Sequence, residues 1–183
     1  MGKLKKGVQP YDLAVPYKTD SFDCGRPVLD DFVKKDLAKQ QKNHILRGYV
    51  IQTDEQGDGS PEIMGYYTLS GGSYTKAGMS NGRRKQVPYR DAPCILLGRL
   101  AVDKRLAGKG FGSILVADAA RRTYDAARSV GVYAMMAEAK DEAAARFYEA
   151  MGFTRLATED SRLVYFYPTT SIETLIDKYP PLT

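Results

Sequence analysis

Residues 96–112 read LLGRLAVDKRLAGKGFG, and the order of events along them decides the fold. An apolar run, Ile95-Leu96-Leu97 and then Leu100-Ala101-Val102, predicts a buried strand that stops at Asp103-Lys104-Arg105. Gly108, Gly110 and Gly112 then open an amphipathic segment with helical spacing. Strand, glycine turn and helix start make an anion site, because glycine lets backbone N–H groups approach a ligand and a helix start carries unpaired donors and positive dipole. A pyrophosphate fits such a turn.

Two other nucleotide motifs fail here. A Walker loop needs glycine five residues before the Gly-Lys pair and Ser or Thr after it, and those positions hold Asp103 and Gly110. The dinucleotide pattern Gly-x-Gly-x-x-Gly fails at its last position, Ser113.

The rest of the chain sets limits. At 183 residues it is expected to be one domain, and 43% apolar with 27% charged residues is ordinary for a globular chain. No run of about 18 apolar residues is present, and the N-terminal MGKLKKGVQPYD lacks an apolar signal core, so a cytoplasmic protein without membrane contact is expected. One histidine, His44, and two cysteines, Cys24 and Cys94, are too few for a Cys/His metal centre. Cys94 opens an apolar strand and reads as a buried, inert thiol. Chemistry must fall to tyrosine, carboxylates and backbone.

The formal charge is +5, and the cations are grouped. Lys34, Lys35, Lys39, Lys42 and Arg47 lie in or just after a first helix, while Arg83, Arg84, Lys85, Arg90 and Arg99 lie shortly before or within the central strand. A solvated face explains the first group. In the second, Arg83, Arg84 and Lys85 lie in a Gly/Ser/Asn-rich loop over 78–89 and suit a phosphate backbone.

In order, the spacing predicts a short strand over 10–16, a helix from Val28 to about His44, a hairpin over 48–53 and 63–70 with a turn at 54–61, and the central strand. A helix with Phe111, Leu115, Ala119, Thr123, Ala126 and Val130 on one face is expected to stop at Gly131 in the left-handed conformation. A strand over 132–137, a helix capped by Asp141 and closed by Gly152, strands over 154–156 and 162–167, and a tail helix over 171–178 complete an α/β chain.

Arg105-Leu106-Ala107-Gly108-Lys109-Gly110 resembles the acetyl-CoA loop of the GCN5-related N-acetyltransferases (GNAT). Arg146-Phe147-Tyr148 with Gly152-Phe153 resembles that family's later helix, in the right order after a helix and a strand. The resemblance implies a mixed, mostly antiparallel sheet split between its two central parallel strands and flanked by helices. Acetyl-CoA is then the cosubstrate. Leu100, Ala101 and Val102 would contact its acetyl and pantetheine parts through backbone, Arg105 to Ser113 would hold the pyrophosphate, and Asp141, Ala144 and Phe147 would line the cofactor. Phe111 and Gly112 belong to the same turn.

Acetyl transfer from a thioester needs a polarised carbonyl, a neutral amine and a protonated leaving thiolate. A backbone N–H near Val102 can serve as the oxyanion donor, and Tyr148, with an ordinary phenol pKa of about 10 against about 8.5 for a thiol, can protonate the sulfur. An α-amine, of pKa roughly 7.7–8.0, is easier to run without a histidine than a lysine near 10.4. Glu138 can act as a base from its strand, or be a solvated carboxylate.

Within the family, Phe22-Asp23-Cys24-Gly25 with Leu29-Asp30, residues 65–70 (GYYTLS), Val87-Pro88-Tyr89-Arg90 and residues 97–103 (LGRLAVD) are similar to acetyltransferase toxins of bacterial toxin–antitoxin pairs, over roughly 11–177. This implies acetylation of the α-amine of the amino acid on charged tRNA, a ribbon-helix-helix antitoxin, operator DNA bound through the complex, and a homodimer. Arg83, Arg84, Lys85, Arg90 and Arg99 would contact the RNA. The alternatives are an acetyltransferase for a small amine or a protein N-terminus, and a non-catalytic CoA-binding module.

Overall fold

The computed structural model describes residues 2–54 and 57–179. Seven strands hydrogen-bond in the order β1-β2-β3-β4-β5-β7-β6: β1 (Gln9–Pro10), β2 (Arg47–Gln52), β3 (Ile63–Thr75), β4 (Asp91–Val102), β5 (Ala134–Ala139), β6 (Thr154–Arg155) and β7 (Leu163–Pro168). β2 runs antiparallel to β1 and β3, and β7 runs antiparallel to β5 and β6. β4 and β5 pair in parallel. Contacts gather the described residues into two units, 2–70 with 99–118 and 71–98 with 119–179, with β3, β4 and one helix running through both.

The first unit packs α1 (Pro27–Asp31), a π-helical turn (Phe32–Asp36) and α2 (Leu37–Lys42) on the start of β3. Phe22, Phe32, Leu37, Val50, Ile63 and Tyr66 form its core. Residues 63–69 are buried without alternation, the pattern of a strand covered on both faces. Gln41 ties α2 down by donating to the Tyr11 carbonyl and accepting from the Gly48 N–H, each at 2.8 Å.

The second unit contains α3 (Asn81–Gln86), the later turns of α4 (Phe111–Ala126), α5 (Glu142–Ala150) and α6 (Ile172–Lys178). Met79, Val87, Ala92, Cys94, Met136, Leu156 and Phe166 make a core there.

Several boundaries differ from the sequence reading. The strand expected over 10–16 is only Gln9–Pro10, because Asp12 Oδ1 accepts from the Ala14 N–H and turns the chain. The expected first helix carries the π turn at 32–36. The basic loop over 78–89 holds a helical turn, α3. α4 ends at Ala126, and Gly131 is not left-handed: the chain leaves the helix through successive turns at 127–129, with Val130 exposed. The turn expected at 54–61 includes residues 55 and 56, which lie outside the described residues.

Candidate active site

The glycine turn is built by an acidic anchor below it. Asp103, 2% exposed, caps the short 3-10 turn after β4 and accepts four hydrogen bonds, from the Asp23 and Arg105 N–H groups and from Arg105 Nε and Nη2. Arg105 Nη2 also meets Glu62 Oε1 at 2.7 Å, and that oxygen accepts from the Ser21 hydroxyl at 2.6 Å. Lys104 pairs with Asp23 at 2.9 Å. Burial alone would raise the Asp103 pKa, but the Arg105 guanidinium and the two N–H donors outweigh it and hold the carboxyl below its usual range. Glu62 is lowered in the same way, its burial outweighed by Arg105 and Ser21.

The Arg105 guanidinium is thus engaged with carboxylates, and the N–H groups of Arg105, Leu106 and Ala107 bond to Asp103 Oδ1, the Asp103 carbonyl and the Lys104 carbonyl. Leu106 is buried as a peg, while Ala107 to Gly110 are exposed. Gly108 and Gly110 have φ of +72° and +83° with open space beside each, so backbone conformation rather than crowding requires glycine there. At the start of α4 the Ile114 N–H bonds the Gly110 carbonyl. Phe111, Gly112 and Ser113 therefore present the donors that a helix start leaves without intrahelical acceptors, and all three are half-buried. Lys109 Nζ sits on the Arg105 carbonyl at 2.9 Å, placing its charge over the turn. Exposed donors, a positive helix end and a lysine fit a pyrophosphate.

The β4–β5 ladder covers four positions, Cys94–Leu97 against Ala134–Ala137. β4 continues through Leu100, Ala101 and Val102 beyond the last paired rung, and Arg99 N–H bonds the Thr68 hydroxyl at 3.1 Å.

In the second unit, Asp141 caps α5 by accepting from the Ala144 N–H at 2.8 Å. The helix closes in a Schellman motif: Phe153 N–H bonds the Tyr148 carbonyl, Gly152 N–H bonds the Glu149 carbonyl, and Gly152 has φ of +95°. That turn sets Phe153 on Tyr148, ring centroids 5.3 Å apart, with Phe147 at 5.4 Å and Tyr165 at 6.1 Å on other sides. Tyr148 is 7% exposed, so ring packing fixes the phenol. Tyr165 donates to Glu149 at 2.6 Å.

The expected RNA-facing cations divide. Arg84, Lys85 and Arg90 are exposed, with Arg84 bonded to Asn81. Arg83 lies 5.4 Å over the Phe166 ring, and Arg99 lies 3.9 Å over Phe32. Both are half-buried. Burial pushes the Cys94 thiol up to about 11, in keeping with an inert packing role. Sequence reasoning missed Asp23, Glu62 and Asp103 as supports of the loop; no local spacing connects Glu62 to residues 103–105.

Comparison with known proteins gives this geometry a family. An acetyltransferase (GNAT) domain matches residues 47–155, and the chain belongs to the GNAT acetyltransferases. Its similarity lies with their tRNA-acetylating toxins. A tRNA-acetylating toxin of Mycobacterium tuberculosis (strain ATCC 25618 / H37Rv) is 34% identical over 147 residues, 79% of this chain and 82% of the relative. The structure of AtaT complexed with acetyl-methionyl-tRNAfMet has a TM-score of 0.86 and 34% identity, covering 94% of this chain and 99% of that one. A tyrosine-to-phenylalanine mutant of AtaT, bound to the C-terminus of the antitoxin AtaR and acetyl-CoA, has a TM-score of 0.80 and 32% identity, covering 94% and 98%. The KacTA–DNA complex matches at a TM-score of 0.76 and 38% identity, covering 96% and 99%.

Proposed function

We propose that this chain is a toxin that moves acetyl from acetyl-CoA to the α-amine of the amino acid on charged tRNA and so blocks translation. The observation that carries this is its likeness, across nearly the whole chain, to a toxin solved with an acetylated, charged tRNA. The anion-ready turn and the exposed cations of α3 support it independently.

In this reading the N–H groups from Gly108 to Ser113 and Lys109 hold the pyrophosphate, with Arg105, Leu106 and Ala107 shaping the turn. Backbone from Leu100 to Val102 binds the acetyl and pantetheine part, an N–H there stabilising the carbonyl oxygen as it gains charge. Asp141, Ala144 and Phe147 form the helix start and ring contact that support the cofactor wall. One N–C bond forms and one C–S bond breaks; the electron pair leaves with sulfur, which takes a proton from the Tyr148 hydroxyl, while the proton that the nitrogen gives up passes to solvent, from which the phenolate recovers its own. Arg84, Lys85 and Arg90 meet the tRNA backbone, and Arg83 and Arg99 contribute the guanidinium edges that their rings leave open.

The reading extends to one acetyltransferase domain over 1–183, a homodimer, cytoplasmic action and neutralisation by a ribbon-helix-helix antitoxin whose complex binds operator DNA. The test is incubation with labelled acetyl-CoA and either charged or deacylated tRNA, followed by mass spectrometry of the aminoacyl end. Label on the α-amine of charged tRNA is the expected result. Label confined to small amines or protein N-termini, or no transfer, rejects the proposal.

A further inference from the structure

Three rings pack on Tyr148, and two of them move with it. Phe147 is its neighbour on α5, and Phe153 follows in the turn that closes the helix. The third, Tyr165, comes from β7 and is fully buried. Its ring lies 6.1 Å from that of Tyr148 between centroids, with the planes 29° apart. Its hydroxyl donates to Glu149 Oε1 at 2.6 Å, on the residue that follows Tyr148. One side chain therefore grips the last turn of α5 twice, by its face and by its hydroxyl. Strand register locates the anchor of that grip. Tyr165 pairs with Ala137 of β5, and Ala137 is the partner of Leu97 in the last rung of the β4–β5 ladder. The tie thus starts from the row of the sheet at which the parallel pairing stops.

We propose that Tyr165 is a positioning residue for acetyl transfer: its hydrogen bond to Glu149 fixes the last turn of α5, and with it the Tyr148 hydroxyl, against the row where the parallel ladder ends. This inference rests on the reading above in which Tyr148 gives its proton to the leaving sulfur. Ring stacking tolerates a range of offsets, whereas a hydrogen bond is short and directional. A proton donor must come within about 2.6–3.2 Å of its acceptor, so the direction in which stacked rings can slide is the one that matters for the transfer. Glu149 is exposed, so water can hydrate its carboxylate when the bond is removed, and the change acts on placement more than on folding.

The test uses the full chain with acetyl-CoA and charged tRNA, and reads the rate of a single turnover beside KM for each substrate. Tyr165→Phe keeps the ring and removes the bond; it is expected to slow the turnover roughly tenfold, short of the about 100-fold that a 1 Å misplacement can cost. KM for both substrates is expected to hold. Glu149→Ala breaks the same bond from its exposed end and is expected to match Tyr165→Phe, deciding the matter should the buried change prevent folding. Glu149→Gln retains an acceptor oxygen and is expected to recover most of the wild-type rate. In a Tyr148→Phe background, Tyr165→Phe is expected to cost nothing further, which a general loosening of the fold would not produce. Thermal unfolding verifies that each variant is folded. A wild-type rate in folded Tyr165→Phe or Glu149→Ala, a rise in KM with the rate unchanged, or Glu149→Gln as slow as Glu149→Ala overturns the positioning role while leaving the Tyr148 reading intact. A wild-type rate in Tyr148→Phe overturns that reading instead, and the positioning role with it.

Discussion

The Arg105 guanidinium meets the Asp103 carboxylate edge to edge, Nε to Oδ1 at 2.8 Å and Nη2 to Oδ2 at 2.9 Å. A residue that the acetyl-CoA motif would assign to phosphate is therefore held from behind, and the turn it begins is set before any ligand arrives. Asp103→Asn keeps the shape but opposes amide protons to the same donors. Water reaches Arg105, so the loss is smaller than for a fully enclosed pair: about 2–3 kcal/mol in denaturant unfolding. Weaker acetyl-CoA binding in calorimetry should accompany it.

The same anchor makes stability acid-sensitive in a defined direction. Asp103 and Glu62 have folded pKa values below their ordinary ones, so they bind protons more readily in the unfolded chain. Their contribution is complete above the unfolded carboxylate values near 4 and is lost as pH falls through the folded values. Thermal unfolding scanned downward from pH 6 should show the decline beginning near pH 4, and Asp103→Asn should flatten it.

Gly110→Ala places a side chain where φ is +83°, although nothing stands within 4 Å of the added carbon. The expected cost is about 1–2 kcal/mol of backbone strain. If the turn relaxes to avoid it, acetyl-CoA affinity falls instead, and calorimetry beside thermal unfolding separates the two effects.

Tyr148→Phe preserves the ring that Phe147, Phe153 and Tyr165 surround. The folded protein should bind acetyl-CoA, lose about 100-fold or more in kcat, and no longer arrest a bacterial host that produces it. Undiminished turnover would remove the phenol from the reaction.

Arg84→Glu with Lys85→Glu reverses two exposed charges on α3 without disturbing the Arg83–Phe166 contact. Charged-tRNA binding should weaken across sequences, with a shallower dependence on salt, while acetyl-CoA affinity holds. A fall in acetyl-CoA affinity alone would assign α3 to the cofactor.

What the sequence revealed was what is local. The helix from Asp141 to Gly152 was readable because a cap, an apolar repeat and a left-handed glycine lie within a dozen residues. The Tyr148–Phe153 pairing follows from the same closure, so a motif recognised by pattern has a mechanical cause. The glycine turn was readable for the same reason. The support from Asp23 and Glu62 was not, since contacts 43 and 81 residues apart in sequence leave no periodic trace. The end of α4 was misplaced because Val130 fits the helical repeat yet lies exposed after the chain has turned away.

The π turn at 32–36 carries a hidden dependence. A π turn takes about one residue more than an α-helix for the same rotation, so the surplus residue is absorbed between α1 and α2 and both keep their faces on the core. Deleting one residue there would leave a plain α-helix with Leu37 and Gln41 still on their bearings, whereas keeping the count and tightening the turn to α geometry would rotate α2 by about 100° and cut the amide link between Tyr11 and Gly48. The first unit's alignment thus depends on the width of a single turn, with no side chain made less suitable for its surroundings.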